Sequence, residues 1–208
     1  MRTISKLQYI TTSPILAEKA CIGGVDWIQL RLKNVTYADY YAIASEVQAV
    51  CQEFNATFII NDNAALALDI NAHGVHLGKK DMSPEVARAL IGNRFIIGAT
   101  ANTAEDVIRL SGMPIDYIGL GPYRFTSTKQ NLSPILGLDG YKQIYTELQD
   151  AGITPPPIIG IGGVTKSDVE HLLATGLYGV AVSGAISNAP DVTGAAIALK
   201  RAFNYEVQ

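Results

Sequence analysis

Tyr117-Ile118-Gly119-Leu120-Gly121-Pro122-Tyr123-Arg124-Phe125-Thr126-Ser127-Thr128-Lys129 reads as a short apolar strand, Tyr117–Leu120, running straight into a loop that is low in side-chain bulk, rich in hydroxyls and closed by a cation. Glycines let a backbone come close to a ligand. Thr126, Ser127 and Thr128 add hydroxyl donors to their own amides, and Lys129 supplies the charge an anionic group seeks. A plain surface turn rarely needs all three. The stretch therefore reads as a phosphate-handling loop at the end of a barrel strand.

Working outward, the same apolar-run-then-polar-end pattern recurs. Strands are expected at Leu7–Thr11, Trp27–Leu32, Thr57–Asn61, Gly74–Leu77, Phe95–Thr100, Tyr117–Leu120, Ile158–Ile161 and Gly179–Val182. Helical spacing lies between and after them, at Tyr37–Phe54, Pro84–Ile91, Thr103–Leu110, Leu138–Ala151, Ser167–Thr175 and Thr193–Asn204. In Tyr37–Phe54 the apolar residues Tyr40, Ile43, Ala44, Val47 and Val50 fall at helix periodicity. Ser83 before Pro84, and Thr103 before Asp106, read as helix starts. Eight strands, each followed by a helix or by room for a short one, give an α/β fold of the (β/α)8 TIM-barrel type, with an open doubly wound sheet as the alternative. A barrel collects every strand end around one mouth, which explains why nearly every strand ends in polar residues. No linker or low-complexity segment breaks the pattern, so residues 1–208 read as one domain.

Composition narrows the function. The chain has 208 residues, 48% of them hydrophobic and only 17% charged, with a net charge of −3. It has no stripe of Lys or Arg, which argues against a nucleic-acid partner. An anionic substrate must be caught by local groups. No apolar run reaches the ~18 residues of a membrane span, and Met1–Leu7 lacks a signal-peptide core, so a cytoplasmic protein without a membrane partner is expected. Self-association as a homo-oligomer is compatible with the sequence. Cys21 and Cys51, in helical-looking segments, read as buried free thiols.

The strand ends carry the chemistry. In Gln29-Leu30-Arg31-Leu32-Lys33, alternation puts Gln29, Arg31 and Lys33 on one face. The leucines pack outward on helices, so the polar trio points to the mouth. It forms either an internal salt-bridge lattice or a site for a polyanion such as pyrophosphate. Strand three stops in Asn61-Asp62-Asn63, and Asp81 follows strand four. Either aspartate alone could cap a helix, but as a neighbouring pair Asp62 and Asp81 suit Mg²⁺, a hard cation that shares ligands with phosphate. His76 reads as a group that orients neighbours or fills the barrel, and His73 and His171 carry no signal. Strand five ends in the small hydroxyl of Thr100. Gly160-Ile161-Gly162-Gly163 and Ser183-Gly184-Ala185 close the last two strands, where barrels often hold a phosphate on bare amides.

Seven blocks in register, QLRLK (29–33), IINDN (59–63), GVHLGKKDMS (74–83), GATANT (98–103), DYIGLGPYRFTSTK (116–129), PIIGIGGV (157–164) and GVAVSGAI (179–186), resemble the thiamine-phosphate synthase family. The resemblance implies a TIM-barrel transferase that joins hydroxymethylpyrimidine diphosphate to a thiazole phosphate and releases pyrophosphate with Mg²⁺. It implies that Gln29, Leu30, Arg31, Leu32, Lys33, Asn61, Thr100 and Lys129 hold the pyrimidine diphosphate, and that Asp62 and Asp81 hold Mg²⁺. Thr126, Ser127, Thr128, Gly163, Ser183 and Gly184 would hold the thiazole phosphate, while Arg31, Lys33 and Lys129 would act on the leaving group. The chain departs from the family pattern at Leu32 (usually acidic), Thr100 (usually Ser), Thr126-Ser127-Thr128 and Ser183-Gly184. A related thiazole tautomerase has a histidine in the loop after strand six and no pyrophosphate site. This chain has no histidine in that loop and keeps Arg31, Lys33, Asp62, Asp81 and Lys129. A tautomerase-like isomerase, or a barrel that only binds thiamine precursors, are the alternative readings.

Overall fold

The computed structural model describes residues 4–125 and 134–203. Eight parallel strands close in sequence order into a barrel: β1 (Leu7–Thr11), β2 (Trp27–Leu30), β3 (Thr57–Asn61), β4 (Gly74–Leu77), β5 (Ile96–Ala101), β6 (Tyr117–Leu120), β7 (Ile158–Ile161) and β8 (Gly179–Val182). β8 pairs back with β1, Leu7 opposite Val180, so no sheet edge is left open. The open doubly wound alternative is thereby excluded.

Around the strands run α1 (Pro14–Ile22), α2 (Tyr37–Glu53), α3 (Ala64–Asp69), α4 (Pro84–Ile91), α5 (Ala104–Ser111), α6 (Gly137–Asp150), α7 (Val169–Leu173, after a 3-10 turn at Lys166–Asp168), α8 (Gly184–Ser187) and α9 (Val192–Arg201). Their starts are chemically marked. Ser13, Thr36, Asn63, Ser83, Thr103 and Asp191 each accept a hydrogen bond from a first-turn amide, filling a donor that the helix leaves open. Two of these are the starts read at Ser83 and Thr103.

The strands are buried on both faces, as a barrel wrapped by helices requires. Outward-facing residues such as Ile28, Leu30, Phe58, Ile60, Val75, Ile97, Ile118 and Val180 build the layer between barrel and helices. Inward-facing Ile10, Trp27, Ile59, Ile96, Tyr117, Ile159 and Ala181 fill the barrel itself. Each large side chain fully withdrawn from water contributes about 1.5–3 kcal/mol. Cys21 and Cys51 are free and lie in the outer layer, with burial pushing the Cys21 thiol up to about 11 and the Cys51 thiol higher still.

Two strands differ from their expected bounds. β2 ends at Leu30 rather than Leu32, level with the end of β1: its last pairings are Leu30 with Thr11 and with Ile60, and the Arg31 amide then donates to the Thr11 carbonyl at 2.9 Å. β5 begins at Ile96 and runs on to Ala101, drawn out by pairing with Leu120. Helix α9 ends at Arg201 rather than Asn204, which lies outside the described residues.

Candidate active site

A cavity of about 440 Å³ opens where the strands end, within the ~300–1,000 Å³ usual for small-molecule sites. It is lined by Arg31 after β2, His76 of β4, Thr100 of β5 and Asn102 just past it, Gly119 of β6 and Gly121 just past it, Ile161–Thr165 from the end of β7 and Val182–Ala185 from the end of β8. The loops expected to carry a phosphate thus share one wall.

That wall is built close. Gly162 and Gly163 take φ of 101° and 67°, conformations that favour glycine. A Cβ on Gly163 would also fall 2.5 Å from Cγ of Arg124 and 3.0 Å from the Phe125 carbonyl. The β7 loop and the β6 loop therefore pack backbone to backbone, with the Tyr123 amide on the Ile161 carbonyl at 2.8 Å and the Arg124 amide on the Gly162 carbonyl at 3.0 Å. Arg124 lies over the Tyr123 ring and donates to Asp168 at 2.7 Å. Asp168 also accepts from the hydroxyl and amide of Thr165, which bolts the glycine loop to the start of α7. Burial alone would raise the Asp168 carboxyl, but the Thr165 and Arg124 bonds outweigh it and hold it below the ordinary range. Ser183 and Gly184 line the same cavity.

A second polar group forms on the β2–β4 side, outside the cavity lining. Lys33 pairs with Asp62, and Asp62 in turn meets Asp81, whose Oδ2 accepts from the Gly78 amide at 2.7 Å. Asp62 sits at φ 67°, in the left-handed region that Asp and Asn enter more readily than most residues. Its amide is held by the His76 carbonyl at 2.7 Å. Partial burial and the facing Asp62 push the Asp81 carboxyl up to about 6. Asp62 also suffers desolvation, but Lys33 and Asp81 hold its proton off and keep it low. Two carboxylates crowded against one ammonium form an all-oxygen donor pair short of positive charge, which fits a hard divalent cation. Among the described residues no group of three or more His, Cys, Asp or Glu gathers, so the rest of such a coordination shell would come from substrate oxygens and water.

The remaining candidates are placed as follows. Arg31 lines the cavity. Gln29 is inside the barrel, 2% exposed, where its amide donates to Gln8 at 3.0 Å. Leu30 and Leu32 pack outward, so any contact they make with a ligand is through the backbone. Asn61 is buried, and its Nδ2 has no hydrogen-bond partner. An orphan donor of that kind needs an acceptor, and a bound ligand would supply one. Thr126, Ser127, Thr128 and Lys129 lie outside the described residues.

Residues 3–186 match the family model for thiamine monophosphate synthase. The chain belongs to the thiamine monophosphate synthase family. Within that family it is 45% identical over 193 residues to a thiamine-phosphate synthase of Flavobacterium johnsoniae, covering 90% of this chain and 91% of the relative. It is 46% identical over 169 residues to one from Bacteroides thetaiotaomicron, with 81% and 80% covered. A solved thiamine phosphate pyrophosphorylase from Pyrococcus furiosus superposes with a TM-score of 0.84 at 29% identity, over 96% of this chain and 95% of the other. A 3-hexulose-6-phosphate synthase, at TM-score 0.67 and 16% identity, shares the fold alone.

Sequence reading of this family member missed several groups at the mouth. Asn102 lines the cavity and its amide donates to the Gly121 carbonyl. It lies two residues past Thr100, so extending the strand alternation would have placed it. Arg124 and Asp168 are 44 residues apart and have no periodic relation. Nothing in the sequence announces their pairing.

Proposed function

We propose that the chain is a thiamine-phosphate synthase, condensing 4-amino-2-methyl-5-hydroxymethylpyrimidine diphosphate with a thiazole phosphate to give thiamine phosphate and pyrophosphate. The observation that carries the reading is the layout of one barrel mouth in a chain of this family. A glycine-lined cavity takes in the ends of β5–β8 together with Arg31 and His76, and a lysine with two facing carboxylates lies on the β2–β4 side.

In this reading Arg31, Lys33, Asn61, Thr100 and Lys129 contact the pyrimidine diphosphate, with Gln29 beneath them and Leu30 and Leu32 contributing backbone. Thr126, Ser127, Thr128, Gly163, Ser183 and Gly184 take the thiazole phosphate. Asp62 and Asp81 hold Mg²⁺, which when bound neutralises charge on the diphosphate. Arg31, Lys33 and Lys129 stabilise the departing pyrophosphate as the bond from its oxygen to the pyrimidine methylene breaks. The pyrimidine amino group pushes electrons towards that carbon, and the thiazole nitrogen forms the new bond to it. Such a reaction depends on positioning and leaving-group stabilisation rather than on a protein nucleophile. The two cysteines, buried between barrel and helices, play no part in it.

No described helix is long and apolar enough to cross a membrane. Phosphorylated substrates and two free thiols suit the cytoplasm. The test is to incubate the protein with both substrates and Mg²⁺ and assay thiamine phosphate. Product that disappears with EDTA supports the reading, and a folded protein that makes none refutes it. Turnover of the thiazole phosphate alone, surviving EDTA, would favour the isomerase alternative.

A further inference from the structure

Beneath the cavity, a line of buried side chains crosses the barrel. Gln29 donates through Nε2 to Oε1 of Gln8 at 3.0 Å, and Gln8 donates through Nε2 to the Tyr117 hydroxyl at 3.2 Å. The Tyr117 hydroxyl lies 3.0 Å from Nδ1 of His76, and Nε2 of His76 lies 3.0 Å from Oγ1 of Thr100. Gln8 and Gln29 are each 2% exposed and Tyr117 is fully buried. Thr100 is partly exposed and lines the cavity.

Two neighbouring strands give up side chains to seat this line. A Cβ at Gly98 would fall 2.1 Å from Cζ of Tyr117 and 2.5 Å from its hydroxyl. A Cβ at Gly119 would fall 2.9 Å from Cε1 of His76. Trp27 fixes the Tyr117 ring from the side, edge to face at 4.9 Å between centroids. A barrel that only needed filling would keep apolar side chains here.

The line has a direction. The Tyr117 hydroxyl accepts from Gln8, and its own proton, on a fully buried group, needs an acceptor. Nδ1 of His76 is that acceptor. An imidazole with one proton then carries it on Nε2 and donates to Thr100. The Thr100 hydroxyl, already accepting, turns its proton into the cavity.

We propose that His76 is a positioning residue whose Nε2-protonated tautomer, set from below by Tyr117 and Gln8, makes the Thr100 hydroxyl a hydrogen-bond donor to a ring nitrogen of the bound pyrimidine. The proposal rests on the pyrimidine diphosphate occupying this cavity over Thr100. It assigns the line to recognition of the pyrimidine rather than to the bond-breaking step.

The tautomer is read directly by 15N NMR of histidine-labelled wild-type protein, with the His76 signals assigned by their loss in His76→Gln. Nε2–H with a bare Nδ1 is the expected result. A proton on Nδ1, alone or together with one on Nε2, overturns the proposal. Tyr117→Phe should release the tautomer into a mixture and raise KM for the pyrimidine diphosphate about five- to tenfold, with kcat and the KM for thiazole phosphate within about twofold. His76→Gln, which can offer an amide donor near Nε2, should hold that KM better than His76→Leu. An unchanged tautomer and KM in Tyr117→Phe, or a change confined to the thiazole phosphate KM, overturns the proposal. The NMR result on unliganded wild type stands apart from turnover. Its failure leaves the synthase reading intact, whereas a wild type that makes no thiamine phosphate removes that reading and leaves the tautomer readable.

Discussion

Arg124 donates to the carboxylate of Asp168 across 2.7 Å, joining the loop after β6 to the helix start after β7. The Asp168 side chain is 10% exposed and that of Arg124 is 45% exposed, so most of the pair's worth lies in the bonds that Asp168 accepts from Arg124 and Thr165. Asp168→Asn should lower unfolding free energy at pH 7 by about 1–3 kcal/mol in urea titrations. The folded carboxyl is held below the ordinary aspartate value of about 3.9, so its stabilisation is complete above that value and is lost as pH falls through the folded value. The gap between wild type and Asp168→Asn should therefore stay constant from pH 7 to about pH 5 and narrow below pH 4.

Asp62→Asn and Asp81→Asn should each weaken Mg²⁺ binding. Losing one carboxylate oxygen donor should move the Mg²⁺ concentration for half-maximal activity up by about tenfold or more. A Mg²⁺ titration of thiamine phosphate formation at saturating substrates checks it. The folded content should change little, since Asp81 is exposed and its neighbour carboxylate raises its energy.

Gly163→Ala should do two things. It strains a residue at φ 67° and drives a methyl into Arg124, at a cost of about 1–3 kcal/mol. Because the strain is in the wall assigned to the thiazole phosphate, KM for that substrate should rise while KM for the pyrimidine diphosphate holds. Steady-state kinetics with each substrate varied in turn separates the two.

Lys129→Ala should reduce kcat by about a hundred- to a thousandfold, the scale of one lost electrostatic contact to a developing anion. Thermal unfolding should match wild type. An active Lys129→Ala enzyme would remove Lys129 from the leaving-group role.

The barrel was legible because its strands are short apolar runs that end abruptly in polar residues, and because alternation along Gln29–Lys33 already separates the faces. Leu30 and Leu32 do pack outward, and Arg31 does reach the cavity. Strand ends were less legible, since β2 stops level with the end of β1, where Leu30 pairs with Thr11, and not where its own apolar character does. Helices α3 and α8, six and four residues long, are too short to show a period. The side-chain line was illegible for another reason. His76 and Tyr117 are 41 residues apart, and Gln8 and Tyr117 are 109 apart. Only closure of the barrel brings them together. Gly119 read in sequence as a place where backbone could approach a ligand, and the structure shows it making room for His76, as Gly98 makes room for Tyr117.

The central claim, that this barrel mouth joins two substrates with loss of pyrophosphate, is tested most directly by measuring both products in one reaction. With pyrimidine diphosphate, thiazole phosphate and Mg²⁺ present, thiamine phosphate and pyrophosphate should form in equal amounts, and omitting either substrate should stop both. Pyrophosphate released without thiamine phosphate, or neither product from folded protein, would contradict the account.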